Sequence, residues 1–552
     1  MTGARDRRSH GGGDNAGHGG GQQGGRAIQA GRMRRTAYAI AVAAALGLPP
    51  MAHATAASDQ PGLGAATQAG GAPAAAGASV PRAVGVAMAA AVPAPKGVKI
   101  HNNYGKFKVS WTKPAGGVYF RLAVAADKAM KKVLYRSKIT KQTNAWTKSS
   151  RIVEGGTYWV QVQAFDKNHK AGKKSKPKSV TTKSKAPGHL DEVRTQALSD
   201  SALRVTWAAS AKLATGYKVE LAHALGAAPT FTHLVKNAKA AGTDIGGLGE
   251  AGFAPGSEFF VTAIPTRYFN RDGGSRTTAA GLPYPTPPGA PAFNATVASY
   301  NVYYSAAVDA AGRTWAQRIP ALAARMAGAD IVGIQEAGGK GAASGVAGPD
   351  LAEATGLVRA STGNGQPCSD NRAVDILLNP ARFAVTTCAI DPLPAGDNRW
   401  LLTVQARELA SGAPFIVATT HLLDGKAAAD DQPRRVQATA IVGLLAARNP
   451  EGLPVIFTGD LNSAEATAVD AAPSIIAAAG YVGADLVART LQGAQYNTSH
   501  GWTQAHQVAE HIDHIMTNAK VAVETFGVHY GDPAGEPSDH FAISANLNVY
   551  PS

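Results

Sequence analysis

Phe457-Thr458-Gly459-Asp460-Leu461-Asn462 completes an apolar run that begins at Val455, and Ser538-Asp539-His540-Phe541 stands about eighty residues later. Both read as short buried strands that carry acids where they emerge into a loop. Three more polar residues close apolar runs upstream: Asn301 after Val297-Ala298-Ser299-Tyr300, Glu336 after Ile331-Val332-Gly333-Ile334-Gln335, and His421 after Phe415-Ile416-Val417-Ala418-Thr419-Thr420. Strand ends are commonly polar because they meet solvent, so each of these residues alone is ordinary. In sequence, Asn, Glu, His, Asp-x-Asn, Asp and Asp-His form a set of oxygen donors and imidazoles.

Those residue types suit one chemistry. Hydrolysing a phosphate ester requires charge stabilisation on the phosphoryl oxygens, an oriented water, and help for the departing oxygen. Asn301 and Glu336 offer hard oxygen ligands of the kind Mg²⁺ accepts while keeping several waters. His540 beside Asp539 fits a general base whose ring is oriented by a carboxylate. Asp460 and Asn462, two apart on an extended segment, are expected to face one phosphate together. Taken singly, Asn301 also reads as the cap of a turn before Tyr303, His514 as a packed strand residue and His511 as an exposed one.

On these motifs, residues 293–552 resemble the endonuclease/exonuclease/phosphatase superfamily, the deoxyribonuclease I-like fold. The resemblance implies an α/β four-layer sandwich with catalytic His421, Asp460, Asn462, Asp539 and His540. It implies metal ligation by Asn301, Glu336, Asp513 and Asp539, with Mg²⁺ as the cofactor and Mn²⁺ or Ca²⁺ as alternatives. Asp460 would align or activate the attacking water, Asn462 would hydrogen-bond the transition-state phosphate, and His421 would donate to a phosphoryl oxygen. One departure leaves the substrate class open: an additional Tyr or His of many family nucleases has no match around Asn371-Arg372-Ala373-Val374-Asp375-Ile376. Arg372 there reads equally as a substrate contact or a surface arginine.

Helical spacing fits the layered expectation. Trp315, Ile319, Leu322 and Met326 predict a core helix ahead of the Ile331–Gln335 run, and Val436, Ala440, Val442, Leu444 and Leu445 predict another after Gln432-Pro433.

The rest of the 552-residue chain is modular. Met33-Arg34-Arg35, an apolar run from Ala37 to Leu48 and the small-x-small triplet Ala52-His53-Ala54 form a secretory leader pattern with cleavage expected after Ala54. The true start is taken as either Met1 or Met33. The run of about 12 residues is too short to span a bilayer, so a secreted or cell-wall-associated protein without stable membrane insertion is expected, as a monomer. Residues 55–92, rich in Ala, Gly and Pro, read as a linker.

Two segments of similar layout follow, over 93–185 and 186–284: Val109-Ser110-Trp111 matches Val205-Thr206-Trp207, Tyr119 lies near the place of Tyr217, and Thr157–Val162 matches Glu258–Ala263. They resemble two all-β fibronectin type III-like sandwiches with core aromatics. A Pro-rich spacer over 285–292 leads to the catalytic region. The two cysteines, Cys368 and Cys388, are expected to pair in an oxidising compartment, with two reduced buried thiols as the alternative.

The formal net charge of +16 is unevenly placed. Residues 95–185 hold 22 Lys and Arg against 3 Asp and Glu, whereas residues 293–552 hold 15 against 24. The first sandwich is therefore expected to attract nucleic acid or another polyanion, such as a cell-envelope polymer, with a solvated basic face as the alternative. The expected function is that of a secreted, Mg²⁺-dependent phosphodiesterase, most of all a nuclease. A lipid or small-molecule phosphoesterase of the sphingomyelinase-like kind and an inactive surface-binding protein are the competing readings.

Overall fold

The computed structural model describes residues 91–551, apart from 209–210, 339–346, 370–372, 426, 504–505 and 507–509. The leader, the cleavage site after Ala54, the linker as far as residue 90, Asn371 and Arg372 lie outside the described residues.

From Phe293 onward the apolar runs become strands of two sheets. One has seven strands, in the spatial order Val358–Arg359, Val374–Leu378, Ile331–Gln335, Phe293–Asn301, Ile543–Val549, Val521–Val528 and Thr490–Gln492. The other has six, in the order Phe383–Pro392, Trp400–Glu408, Pro414–His421, Val455–Asp460, Asp513–Thr517 and Val482–Gly483. Central strands such as Ile331–Gln335 and Val455–Asp460 are buried on both faces, which is why they read as continuous apolar runs and do not alternate.

Alternate side chains divide between the layers. Ile331, Ile376, Val404, Val417, Ile456 and Ile515 fill the space between the sheets. Val332 and Ile334 instead meet Trp315 and Leu322 of the helix Trp315–Arg325 and Met326, which caps it. On the far side, Ile416, Val455 and Phe457 meet Ile441 and Leu445 of the helix Asp431–Arg448. The result is a four-layer α/β/β/α arrangement.

The second helix keeps most of its expected face: Leu445 is buried, and Ala440, Val442 and Leu444 pack partly buried against the same apolar cluster. It begins two residues before Pro433 and buries Arg434, Gln437, Ala438, Ile441 and Leu445, leaving Val436 exposed. Arg434 and Gln437 are buried because they bond the carbonyl oxygen and the amide of Leu423, a polar use of the inner face that the apolar pattern does not show.

Two smaller all-β units precede these sheets, each a three-stranded sheet facing a five-stranded one. In the first, Lys96–Asn103, Lys106–Thr112 and Asn144–Trp146 face the sheet built on Tyr119–Ala125 and Thr157–Phe165; in the second, Val193–Ser199, Ala202–Trp207 and Gly242–Ile245 face the sheet built on Gly216–Ala222 and Glu258–Arg267. Trp111 against Phe120 and Trp207 against Tyr217 occupy equivalent core places. Tyr119 is thus one residue out of the core register: it points outward and stacks on His169 at 4.2 Å.

The second unit is fused to the layered region. Its Phe260 and Ala279 belong to the same apolar cluster as the inter-sheet residues, Tyr284 donates to the carbonyl oxygen of Gly480 at 3.0 Å, and Ser474 donates to Glu258 at 2.7 Å. Arg267 forks onto Glu154 of the first unit at 2.7 and 2.8 Å. No helix among the described residues is long and apolar enough to cross a membrane.

Cys368 and Cys388 form a disulfide with their Cα atoms 5.8 Å apart, tying a loop to the first strand of the six-stranded sheet. Replacing both by serine is expected to lower unfolding stability by about 3 kcal/mol, the chain-entropy value for closing a loop of this size. Chemical denaturation monitored by circular dichroism checks it; unchanged stability would show that the crosslink constrains nothing in the unfolded chain.

Candidate active site

Sheet register assembles the polar strand ends. His421, Asp460 and Asp513 are direct neighbours on three adjacent strands, and Asn301 pairs with Gln335 in the facing sheet, one residue before Glu336. The sheets approach closely here: a Cβ on Gly333 would stand 2.0 Å from the Thr458 hydroxyl, so only glycine fits. Gln335 donates to Ser299 on the neighbouring strand at 3.2 Å and across the gap to Thr419 at 3.0 Å, as the apolar interior gives way to a polar end.

The Asn301 amide then bridges the sheets, donating to Asp460 Oδ2 at 3.0 Å and to Glu336 Oε1 at 3.3 Å, while its Oδ1 accepts from the Tyr303 N–H. Asn301 is placed as a donor between two carboxylates, with its oxygen turned to the backbone.

His540 is held differently from the sequence reading. Its Nδ1 lies 2.8 Å from Asp513 Oδ2, and its Nε2 lies 3.8 Å from Asp460 Oδ2. The adjacent Asp539 does not hold the ring, whose Nδ1 is taken by Asp513. Asp513 is therefore the orienting carboxylate, and the tautomer it selects leaves Nε2 facing Asp460.

Asn462 also departs from expectation. Its backbone turns into the left-handed region at φ 46°, its N–H donates to Asp460 Oδ1 at 2.8 Å, and its side-chain amide lies 3.1 Å from His421 Nε2. The segment is a tight turn, which brings Asn462 and His421 together on one side of Asp460. His511 and His514 are both buried, so the exposed reading of His511 fails; its ring sits between Asp485 and the carbonyl oxygens of Ala494 and Tyr496.

The electrostatics follow from packing several acids into a dry place. Burial, and then the charge of Asp539, push Glu336 up to about 7, and burial also raises Asp539. Burial alone would lower His540, but Asp513, with Asp460 and Asp539 behind it, raises it well above the ordinary histidine value. His421, without so close a carboxylate, is pushed down to about 4 by burial. Asp513 Oδ1 is buried with no hydrogen-bond partner among the described residues. Hard oxygen donors carrying more negative charge than their surroundings neutralise fit a divalent cation, and Asp460, Asp513 and His540 each place one donor atom within 4.8 Å of the others.

Three contributors were not legible in the sequence. Arg318, buried on the first helix, donates to the carbonyl oxygens of Val302, Tyr303, Tyr304, Ala307 and Pro537, joining the loop after Asn301 to the segment before Asp539. Thr498 accepts from the N–H groups of Ile512 and Asp513. Trp502 meets Tyr303 edge-on at 4.6 Å beside the acids. A helical arginine on an otherwise apolar face is the one signal that was available.

Residues 298–540 match the Endonuclease/Exonuclease/phosphatase family. Members of this family hydrolyse phosphoester bonds and depend on divalent metal ions. Among solved structures, an endonuclease/exonuclease/phosphatase family protein from Bacteroides thetaiotaomicron is 20% identical over 47% of this chain and 95% of its own, with a TM-score of 0.38. A mannosyl-6-phosphatase from the same species is 21% identical over 46% and 99%, with a TM-score of 0.37, and the human Nocturnin catalytic domain is 18% identical over 46% and 94%, with a TM-score of 0.36. No curated protein matches the sequence.

Arg318→Ala is expected to destabilise the fold by about 3 kcal/mol or more, because several buried carbonyl oxygens lose their donor at once. Thermal unfolding followed by calorimetry measures this; a loss below about 1 kcal/mol would mean that water replaces the guanidinium.

Proposed function

We propose that the protein is a secreted, Mg²⁺-dependent phosphodiesterase that cleaves nucleic acid, and that its two N-terminal β units are fibronectin type III-like modules, the first of which recruits the polyanionic substrate. The observation that carries the catalytic reading is the Asp513–His540–Asp460 alignment beside the Glu336 and Asp539 carboxylates.

In this reading Asp513 keeps the His540 ring oriented with Nε2 toward the place of the attacking water, and His540 takes that water's proton at Nε2. Asp460 holds the water in line, itself fixed by the Asn301 amide and the Asn462 N–H. Asn462 and His421 present their polar atoms to the phosphoryl oxygens. Glu336 and Asp539 would hold the cation, which supplies charge stabilisation to the phosphoryl group and offsets the carboxylate field that favours imidazolium at His540. The edge-on pair of Tyr303 and Trp502 offers an aromatic surface next to this centre, and one ring face there suits a nucleobase.

Support for polyanion recruitment comes from how the first unit uses its acids. Asp127 accepts from the N–H groups of Lys131 and Lys132, Asp166 from those of Asn168 and Lys170, and Glu154 is paired with Arg267. All three acids are engaged locally or with the second unit, so the lysines face solvent largely uncompensated. The strand pairing puts Arg121, Gln163 and Lys174 side by side on the outer face of the five-stranded sheet, with Lys141 over the Tyr119 ring at 5.6 Å. Cations interleaved with aromatic rings suit single-stranded nucleic acid.

His540→Ala and Asp460→Ala are each expected to lower kcat by at least about a hundredfold on a phosphodiester substrate while circular dichroism stays unchanged, since base and water alignment are lost without a core cavity. Activity within a few-fold of the parent would remove the assignment. Glu336→Gln is expected to raise the Mg²⁺ concentration needed for half activity, and an unchanged titration would exclude it as a ligand.

For recruitment, replacing Lys170, Lys173, Lys174, Lys176 and Lys178 by glutamine should raise KM for long DNA at low salt and leave kcat on a small phosphodiester unchanged. The difference should shrink as the Debye length falls to about 8 Å at physiological ionic strength. Equal KM values at low salt would leave the lysines as a solvated face.

A further inference from the structure

A cavity of about 610 Å³ lies between the second β unit and the layered region, and its wall includes Glu465, Asp485 and His511. We propose that Glu465, Asp485 and His514 form a second divalent-metal site, of the zinc class, at this junction and separate from the catalytic centre. One donor atom from each of the three residues lies within 4.8 Å of the other two. They arrive from three elements: the loop after Val455–Asp460, the start of the helix Ala484–Val487, and the strand Asp513–Thr517.

Hydrogen bonding fixes what each ring nitrogen offers. His514 Nε2 faces the carbonyl oxygen of Ser463 at 3.0 Å; a carbonyl only accepts, so Nε2 carries the proton. In the neutral ring Nδ1 keeps its lone pair, aimed at Glu465 Oε1 at 3.3 Å, and neither atom has a hydrogen-bond partner among the described residues. With no metal bound, burial lowers His514, but Glu465 and then Asp485 outweigh it and raise the ring to about 9, which favours a proton there. The His514 side chain is 0% exposed. A lone pair facing a carboxylate oxygen in a dry place is repulsive unless a cation or a proton lies between them.

This arrangement is the one metal sites use, in which a ligating histidine donates its other N–H to a carbonyl oxygen. His511 supplies the matching support for Asp485. Its Nε2 faces the carbonyl oxygens of Ala494 and Tyr496, and its Nδ1 lies 3.1 Å from Asp485 Oδ2. Both nitrogens therefore donate, and the imidazolium pins one carboxylate oxygen while leaving the other for a ligand.

The surrounding charge also asks for a cation. Glu258, from the second β unit, is raised to about 8 by burial and then by Glu465, and its Oε2 has no hydrogen-bond partner among the described residues. One imidazole nitrogen with carboxylate oxygens suits zinc better than Mg²⁺, which prefers oxygen ligands and retained water. The competing occupant is a proton on His514 Nδ1. A metal there would tie the β unit's neighbour Glu465, three residues past Asn462, to the strand that carries Asp513.

The test uses the full chain, stripped with a chelator, re-equilibrated with Zn²⁺ alone and desalted. Mass spectrometry of metal content is expected to find one zinc per chain more in the parent than in the Glu465→Gln, His514→Gln double variant. Equal zinc contents in folded parent and variant overturn the site in favour of the proton. Because the variant risks misfolding, anomalous diffraction at the zinc edge from crystals of the parent gives a second measurement. A peak between Glu465, Asp485 and His514 supports the site, and zinc found only beside Glu336 and Asp539, or nowhere, overturns it. Neither result depends on the hydrolytic reading.

Discussion

Like charge confined to a dry space is the constraint on which the layered region depends. Glu336, Asp460, Asp513 and Asp539 converge where two sheets end, Asp460 and Asp513 buried and Glu336 and Asp539 half-buried. Carboxylates so placed repel one another and lose hydration, so each needs a partner that costs little. The Asn301 amide supplies one between Glu336 and Asp460, the His540 imidazole another between Asp513 and Asp460. The apolar bulk between the sheets provides the rigidity that keeps this arrangement from relaxing.

The backbone carries part of the cost. Tyr303, Glu336, Asn462 and Trp502 all adopt left-handed φ values between 46° and 58°, a region that residues other than glycine enter only when neighbours hold them there. The Arg318 bonds to the carbonyl oxygens of Tyr303 and Tyr304 are such a restraint at Tyr303. Strain at four positions around one cluster of acids is consistent with pre-organisation, since side chains already aimed need no reordering when a substrate arrives.

The three regions are joined in different ways. The second β unit shares its apolar core with the layered region through Phe260 and Ala279, while the first is attached to the second by the forked Glu154–Arg267 pair. Apolar burial over a shared core resists hinge motion better than one ion pair does. The region with the strongest positive charge is thus held by the lighter attachment, and the acidic layered region by the heavier one.

Local pattern made much of this legible in the sequence. Continuous apolar runs closed by Asn301, Glu336, His421 and Asp460 announced buried strands and their polar ends, because burial on both faces leaves its mark residue by residue. The repeated Trp-containing strands likewise announced two similar β units. Pairings between distant segments left no such mark. That Asp513 and not Asp539 holds His540, that Asn462 turns back toward His421, that Arg318 ties two loops together and that His511 is buried all depend on sheet register and on how loops close over the strand ends. A side chain's neighbours along the chain fix its layer, but only the packed structure fixes which charge it meets, because that is set by distances between residues far apart in sequence.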